Sequence, residues 1–464
     1  MFDLLEEAQE EKGEPIAPAL RAHLGEKARA LPVLTETLQD WELPNLQLAL
    51  DAAAARAGWS LQVIGLTGRA KHFDHGLSDL MTDERWLPSV GPPELVNMAV
   101  GPDRTLACLA FGIVLVSSPD GPIAGFVRRG QGPMGMMETQ PVIQVVAPGE
   151  GVAGAFLADL RRLMDEQDVY RGQVLTLKAD ARTGGRELIF MERPQLTAEE
   201  LVLPDGVLDR IERHVLGPTR HREALLAGGR HLSRGLLLWG PPGTGKTLTV
   251  RYLASVLEGA TVVILSGGTL GFVGAFAGLA KRLAPSLVVL EDVDLVAQER
   301  TFGPFGSSPV LFELMNEMDG LGEDADVAWV LTTNRADALE PALAARPGRI
   351  DLAVELPLPD GEGRRRLLAL YARGLDLQLQ DEAAIVERTE GVPASFIKEL
   401  LRKAALHAAE AGRTTVTDED VTGVLTELLA ETSALTRVLL GAGEPGAAPD
   451  PHGWMAVSHR IDSG

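Results

Sequence analysis

The stretch Gly240-Pro241-Pro242-Gly243-Thr244-Gly245-Lys246-Thr247 matches the pattern G-x-x-x-x-G-K-[ST]. It follows an apolar run at 235–239, typical of a strand, and precedes a helical stretch, which is the context that the pattern requires. Glycines let backbone N–H groups curl around phosphate oxygens, and the helix N-terminus adds positive potential. We therefore predict that this loop and Leu248 bind ATP, that Lys246 reaches its β- and γ-phosphates, and that the Thr247 hydroxyl ligates Mg²⁺.

A second motif, Leu287-Val288-Val289-Leu290-Glu291-Asp292-Val293-Asp294, is an apolar run that ends in acidic residues. In a parallel sheet such a run places carboxylates at the carboxyl edge, where ligands of these sheets bind. Beside a phosphate-binding loop, Glu291 and Asp292 are candidates to anchor Mg²⁺ and to orient the attacking water.

Composition limits the class of protein. The chain has 464 residues, 43 Lys and Arg against 65 Asp and Glu, a net charge of −22, and one cysteine, Cys108. A lone cysteine excludes an internal disulfide framework and is typical of a reducing cytosol. No segment has the ~18 uninterrupted apolar residues of a membrane span, and the acidic N-terminus differs from the basic start of a signal peptide. We predict a cytoplasmic protein with no membrane partner, and the acidic charge argues against nucleic acid.

The sequence pattern changes along the chain and divides it into five segments. We predict an α+β domain that recognises a substrate or partner at 1–193, a linker at 194–204, an α/β nucleotide-binding subdomain at 205–357, a wholly helical lid at 358–432 and a disordered tail at 433–464. Alternating strands and helices in the third zone indicate a parallel sheet covered on both faces. The predicted helices are 46–57, 152–164 and 395–411, and the predicted strands are 109–116, 123–127, 142–146, 173–177, 235–239, 261–265, 287–290, 327–331 and 353–356.

Further motifs carry a resemblance to a known family. They are Leu331-Thr332-Thr333-Asn334-Arg335, Met318-Asp319-Gly320-Leu321 and Arg346-Pro347-Gly348-Arg349-Ile350-Asp351. With the phosphate-binding loop and the acids at 291–294, they resemble the AAA+ ATPases, in particular the AAA clade of ring-forming protein remodellers. The resemblance covers about residues 205–430, and it implies a P-loop NTPase core with a helical lid, Mg-dependent hydrolysis of ATP, and a homo-oligomeric ring that is a hexamer.

The resemblance also implies roles for single residues. Asn334 matches the polar sensor that, with an acid at the strand end, positions the hydrolytic water. Arg346 and Arg349 match a pair of arginine fingers that enter the nucleotide site of the neighbouring subunit and stabilise charge on the phosphoryl group. Asp319 matches the acid of the intersubunit signalling segment.

Two departures from the family pattern affect these roles. The family usually has Asp-Glu at the strand end, whereas this chain has Glu291-Asp292. This order places Glu291 in the magnesium-linked position and Asp292 in the catalytic position, and it leaves open which acid positions the water. A branch of the family that contains the mitochondrial chaperone of the Rieske protein looks similar, with the same Glu-Asp order, and its ATPase is active. The segment 340–345 is also one residue longer than the common pattern, which affects the reach of the arginines.

Two aromatic residues have alternative interpretations. Phe272, in 266–274, occupies the place of the central-pore loop that grips a threaded polypeptide, but it could instead pack the loop onto the core. Tyr371 lies where many relatives have a histidine near the adenine, and 392–395 lies where they have a second sensor. Tyr371 could stack on the base or be a structural residue between lid helices.

The sequence as a whole predicts an ATP-hydrolysing ring motor that remodels, unfolds or disassembles a protein partner. The alternative is an assembly switch, or a nucleic-acid-associated motor, that controls docking without threading a polypeptide.

Overall fold

The computed structural model describes residues 14–67, 75–82, 88–131, 138–179, 186–294, 325–335 and 350–429. The predicted tail at 433–464, Asp319, Arg346 and Arg349 lie outside the described residues. The chain divides into two compact units. Unit 1 comprises 1–193, 259–265 and 275–287, and unit 2 comprises 194–258, 266–274 and 288–464.

The described helices and strands agree in position with most of the predicted elements. The helices are α1 (Ile16–Leu24), α2 (Leu43–Ala54), α3 (Leu77–Thr82), α4 (Val152–Glu166), α5 (Val207–Arg220), α6 (Arg222–Ala227), α7 (Lys246–Val256), α8 (Val273–Arg282), α9 (Gly361–Tyr371), α10 (Glu382–Arg388), α11 (Ala394–Glu410) and α12 (Asp418–Leu429). The strands are β1 (Leu34–Thr37), β2 (Ser60–Thr67), β3 (Ser89–Gly91), β4 (Glu94–Gly101), β5 (Arg104–Ser118), β6 (Gly121–Gln131), β7 (Glu138–Val146), β8 (Val174–Ala179), β9 (Arg186–Met191), β10 (Arg234–Trp239), β11 (Thr261–Ser266), β12 (Ser286–Glu291), β13 (Val327–Thr333), β14 (Leu352–Glu355), β15 (Asp376–Gln378) and β16 (Thr415–Thr417). Among the described residues, no helix combines the length and the apolar character needed to cross a membrane.

Unit 1 contains an antiparallel sheet with helices on both faces. Its strands run in the order β1-β7-β6-β5-β2-β3, and β4 also pairs with β5. Side chains alternate along β5 because successive residues of a strand point to opposite faces. Val114 and Val116 pack in one core with residues of α2 and α4, whereas Ile113 and Leu115 pack in a second core with residues of α1 and α3. The predicted α+β class of this region is therefore confirmed.

One part of the predicted nucleotide-binding subdomain belongs to unit 1. β11 pairs in parallel with β8, with Val262 opposite Val174, and β8 pairs antiparallel with β9. The sequence analysis assigned β8 and β11 to different domains. Hydrogen bonding between strands that are distant in the chain makes 259–265 compact with the N-terminal residues, a relation that local patterns do not encode.

Unit 2 holds the phosphate-binding loop on a parallel sheet. Neighbouring strands run in the order β14-β10-β13-β12, and β10 pairs in parallel with both β13 and β14. All seven residues of β13 are buried, as expected for a strand of a sheet that is covered on both faces. Since parallel strands end at the same edge, the residues after β10, β12 and β13 come together there.

The C-terminal part of unit 2 is the predicted lid. α9, α10, α11 and α12 share a buried core that includes Leu367, Ile385, Phe396 and Leu425. The prediction that this region is wholly helical is wrong, because β15 and β16 form a parallel pair, with Leu377 opposite Val416. Each strand has only three residues, too few to show a strand pattern in the sequence.

Candidate functional site

The phosphate-binding loop connects β10 to α7, and its glycines are required by geometry. Gly240 has a φ of +145°, and a Cβ there would lie 2.3 Å from the Leu356 carbonyl oxygen. Gly243 has a φ of +75°, and a Cβ there would lie 2.1 Å from the Ser395 hydroxyl oxygen of α11. Gly245, with a φ of +104°, is the N-cap residue of α7. The backbone N–H groups at the start of α7 are therefore available to an anion, as at other helix N-termini.

Lys246 is buried, with 6% of its surface exposed. Its ammonium group folds back onto the loop and donates to the carbonyl oxygens of Gly240, at 2.7 Å, and Pro241, at 2.8 Å. Burial lowers the pKa of Lys246 to about 8, although the nearby carboxylates of Asp292 and Asp294 favour its charged form. Both of these acceptors are neutral, so an arriving phosphate would stabilise the buried cation.

Glu291, the last residue of β12, lies beside Thr247. Its pKa is raised, mainly by burial and also by the neighbouring charge of Asp292, whereas a hydrogen bond with the Thr247 side chain opposes the shift. Its Oε1 atom is buried and has no hydrogen-bond partner among the residues that the structure describes. A buried carboxylate oxygen next to a threonine hydroxyl fits the oxygen ligands that Mg²⁺ uses in nucleotide sites. The donor set at this position is therefore suitable for the predicted cation.

Asp292 follows β12 directly and has a left-handed backbone, with a φ of +52°. Its N–H donates to the Thr332 hydroxyl oxygen at 3.1 Å. Its carboxylate accepts from the Asn334 side-chain amide at 3.2 Å. The structure therefore brings Asn334, the predicted sensor, together with Asp292, one of the two acids that the sequence analysis considered for positioning the water.

Asp294 is a residue whose structural role the sequence analysis did not predict. It is buried, with 4% of its surface exposed, and it accepts from the Thr333 hydroxyl at 2.9 Å and from the Asn334 N–H at 3.3 Å. Through these bonds Asp294 ties the end of β13 to the segment after β12. The signal available in the sequence was a third acidic residue two positions after Asp292.

A cleft of about 420 Å³ extends from the phosphate-binding loop to the lid. Tyr371 lines it and also packs against the apolar core of the lid, so both interpretations of this tyrosine agree with its position. Part of the cleft wall comes from the linker segment, which the sequence analysis treated only as a connector. The lining residues are Glu200, Leu201, Val202, Leu203, Pro242, Gly243, Thr244, Gly245, Lys246, Thr247, Leu248, Asp292, Asn334, Leu367, Tyr371, Ala394, Ser395 and Lys398.

Phe272 lies at the end of a 3₁₀ segment, Gly267–Phe272, that leads directly into α8. Its side chain is half-buried, whereas the next residue, Val273, is buried. A half-buried ring leaves the interpretations of a pore-loop grip and of loop packing both open. The predicted fingers Arg346 and Arg349 lie outside the described residues.

Loop, carboxylates and sensor together define the class of protein: a P-loop nucleotide hydrolase. The model of the ATPase family associated with various cellular activities (AAA) matches residues 236–358. The proteasome-activating nucleotidase of Pyrococcus horikoshii is 33% identical over 273 residues, which are 56% of this chain and 67% of the relative. The nucleotidase of the same name from Thermococcus gammatolerans is 30% identical over 328 residues, 68% of this chain and 79% of the relative. The ATP-dependent zinc metalloprotease FtsH of Thermus thermophilus is 33% identical over 258 residues, 52% of this chain and 40% of the relative.

The chain belongs to the AAA family of ATPases. It is an ATP-hydrolysing, Mg²⁺-dependent motor of the clade that remodels proteins, with an α/β P-loop core. The predicted fold class, enzymatic activity and cofactors are confirmed.

Proposed function

We propose that this ATPase works as a homohexameric ring in the cytoplasm, where it unfolds or disassembles a protein partner recognised through unit 1. The observation that carries the proposal is the convergence of Lys246, Asp292 and Asn334 on one cleft of a protein-remodelling AAA chain, with Glu291 beside Thr247 of the same cleft. Two of the relatives above are named for the activation of a proteasome, which supports a protein as the substrate of the motor.

The geometry supports a division of work between the two strand-end acids. Glu291 lies next to Thr247 and has a buried oxygen without a hydrogen-bond partner in the described part of the chain. It would hold Mg²⁺, which neutralises charge on the phosphates. Asp292, bonded to Asn334, would accept a proton from the attacking water and orient it for in-line attack. Lys246 would hold the β- and γ-phosphates through charge-assisted hydrogen bonds.

The arginine fingers and the ring belong to the same proposal. Arg346 and Arg349 would enter the site of the neighbouring subunit, so that only an assembled ring hydrolyses ATP rapidly. Mixing two inactive variants tests this arrangement. Lys246→Ala lacks a working site but keeps its fingers, and Arg349→Ala lacks a finger but keeps its site. Mixed rings should regain ATP turnover, and mixtures no more active than the two parents would contradict action between subunits.

Residues 1–193 are the proposed client-recognition module. Unit 1 has its own sheet and two cores of its own, which supports a folded recognition module. The test is affinity capture with Asp292→Asn, which should bind ATP, hydrolyse it slowly and retain the client. Asp209→Asn, an exposed position on α5, is the matched control and should release the client at the wild-type rate.

Three outcomes would contradict the proposal. Full ATP turnover in Lys246→Ala or in Asp292→Asn would exclude the assigned site. A client retained equally by Asp292→Asn and Asp209→Asn would show that retention does not depend on hydrolysis. Retention by a variant that lacks residues 1–193 would exclude recognition by the N-terminal region.

A further inference from the structure

The backbone of Asp292 is held in an unusual conformation. Its φ is +52°, which is sterically unfavourable for any residue other than glycine. Such conformations persist only where the surrounding structure enforces them. Asp292 is the first residue after β12, so the regular strand hydrogen bonds have ended there. Its N–H is satisfied by a side chain, the Thr332 hydroxyl, at 3.1 Å.

Thr332 supplies this acceptor from a fixed position. It lies in β13, opposite Leu238 of β10 in a parallel pair, and only 1% of its surface is exposed. β12 and β13 are neighbours in the sheet, so the hydroxyl is directed at the residue that leaves β12. A buried strand position is satisfied by any β-branched side chain, and the hydroxyl therefore serves a purpose that strand formation does not require.

The direction of the Asp292 backbone decides where its carboxylate can reach. An aspartate carboxylate is one methylene, about 1.5 Å, closer to its Cα than a glutamate carboxylate is. It has correspondingly less freedom to correct a badly aimed Cα–Cβ bond. The carboxylate that results from this backbone accepts from the Asn334 amide at 3.2 Å and faces the cleft.

We propose that Thr332 is a positioning residue, which fixes the left-handed backbone of Asp292 and thereby aims its short carboxylate at the hydrolytic water. The inference rests on the proposed role of Asp292 and extends it to a residue that does not line the cleft. Thr332 acts through Asp292 alone, so its hydroxyl should affect turnover without affecting the binding of ATP.

The test compares side chains at position 332 that differ in the hydroxyl. Thr332→Val replaces the hydroxyl by a methyl group and keeps the β-branched shape, whereas Thr332→Ala removes both the hydroxyl and the γ-methyl group. Using both variants guards against a folding defect in either. We expect kcat for ATP to fall roughly tenfold in both, equivalent to about 1.4 kcal/mol of activation free energy. Thr332→Ser, which retains the acceptor, should keep kcat within about twofold of wild type. The dissociation constant for ATP should be unchanged in all three variants.

Thr261→Val is the matched control, because Thr261 is also a fully buried strand threonine with a hydrogen-bonded hydroxyl but lies outside the site. Its kcat, corrected for the folded fraction measured in urea, should equal that of the wild type. Wild-type turnover in Thr332→Val or in Thr332→Ala would overturn the proposal. Equal losses in Thr332→Ser and Thr332→Val, or a matching loss of ATP affinity, would also overturn it by showing a general structural role.

The two levels of inference fail in different ways. If Lys246→Ala and Asp292→Asn lose most of their turnover while the hydroxyl-free variants at position 332 do not reduce it, the proposed site stands and the positioning role is wrong. If Asp292→Asn retains full turnover, the proposed role of Asp292 is wrong, and the positioning role that depends on it is wrong with it.

Discussion

The depressed pKa of Lys246 predicts that the affinity for ATP falls as the pH rises above 8. The free protein holds this ammonium group in a buried position with a pKa of about 8. A bound phosphate favours the charged form, so the pKa in the complex is higher. Deprotonation therefore occurs first in the free protein, and above its pKa each binding event must also take up a proton.

The magnitude follows from the charged fraction of Lys246. With a pKa of about 8, this fraction falls from about three quarters at pH 7.5 to about 3% at pH 9.5. The dissociation constant for ATP should rise about 25-fold over this interval, equivalent to about 1.9 kcal/mol. The effect on the fold has the opposite direction. Because the pKa in the folded chain lies below the ordinary lysine value of 10.5, the free energy of unfolding of the nucleotide-free chain should rise between pH 8 and 10.5, by up to about 3 kcal/mol.

Binding of a fluorescent ATP analogue can be measured at constant ionic strength in EDTA. EDTA removes Mg²⁺, so the formation of magnesium hydroxide at high pH does not affect the measured affinity. ATP phosphates are fully ionised in this range, since their last pKa is near 6 to 7. Lys246→Met has no ionisable group at this position and should bind weakly with an affinity independent of pH. Lys398→Met removes the other lysine that lines the cleft and should keep the wild-type dependence. A flat wild-type profile, or a slope that persists in Lys246→Met, would refute the reasoning.

Three further changes have expected outcomes. Gly243→Ala should raise the dissociation constant for ATP at least tenfold in equilibrium binding, because the loop must shift to relieve a 2.1 Å contact between the new Cβ and the Ser395 hydroxyl. The control is Gly278→Ala, where a Cβ meets nothing within 4 Å, and it should leave the dissociation constant unchanged. Asp326→Ala should lower the free energy of unfolding in urea by about 3–5 kcal/mol, because it leaves the buried guanidinium of Arg234 without its ion-pair partner at 2.5 Å; a loss below about 1 kcal/mol would contradict this. Phe272→Ala should abolish the unfolding of a captured client while ATP turnover persists if the ring grips a polypeptide, and unimpaired unfolding would instead favour a switch that controls docking.

The chemistry of the site was largely predictable because its motifs are local. The spacing of glycines and lysine in 240–247 is a direct consequence of how a short loop surrounds phosphate, and the strand-end acids follow from one apolar run. Apolar runs that alternate with helical stretches likewise predicted the positions of β10 to β14. The short pair of β15 and β16 could not be predicted, since three residues per strand give no measurable period and their partners lie about 40 residues apart in the sequence.

The sequence by itself determined which residues carry charge, which can bind phosphate and which family the chain belongs to, because these depend on residue type and on short spacings. Only the tertiary structure decided how the two strand-end acids differ. Glu291 and Asp292 are adjacent in the chain, yet one contacts Thr247 and the other is held by Thr332 and Asn334. The structure also decided that β11 pairs with β8. In both cases the deciding contacts join segments that are distant in sequence, and such contacts form only when the chain has folded.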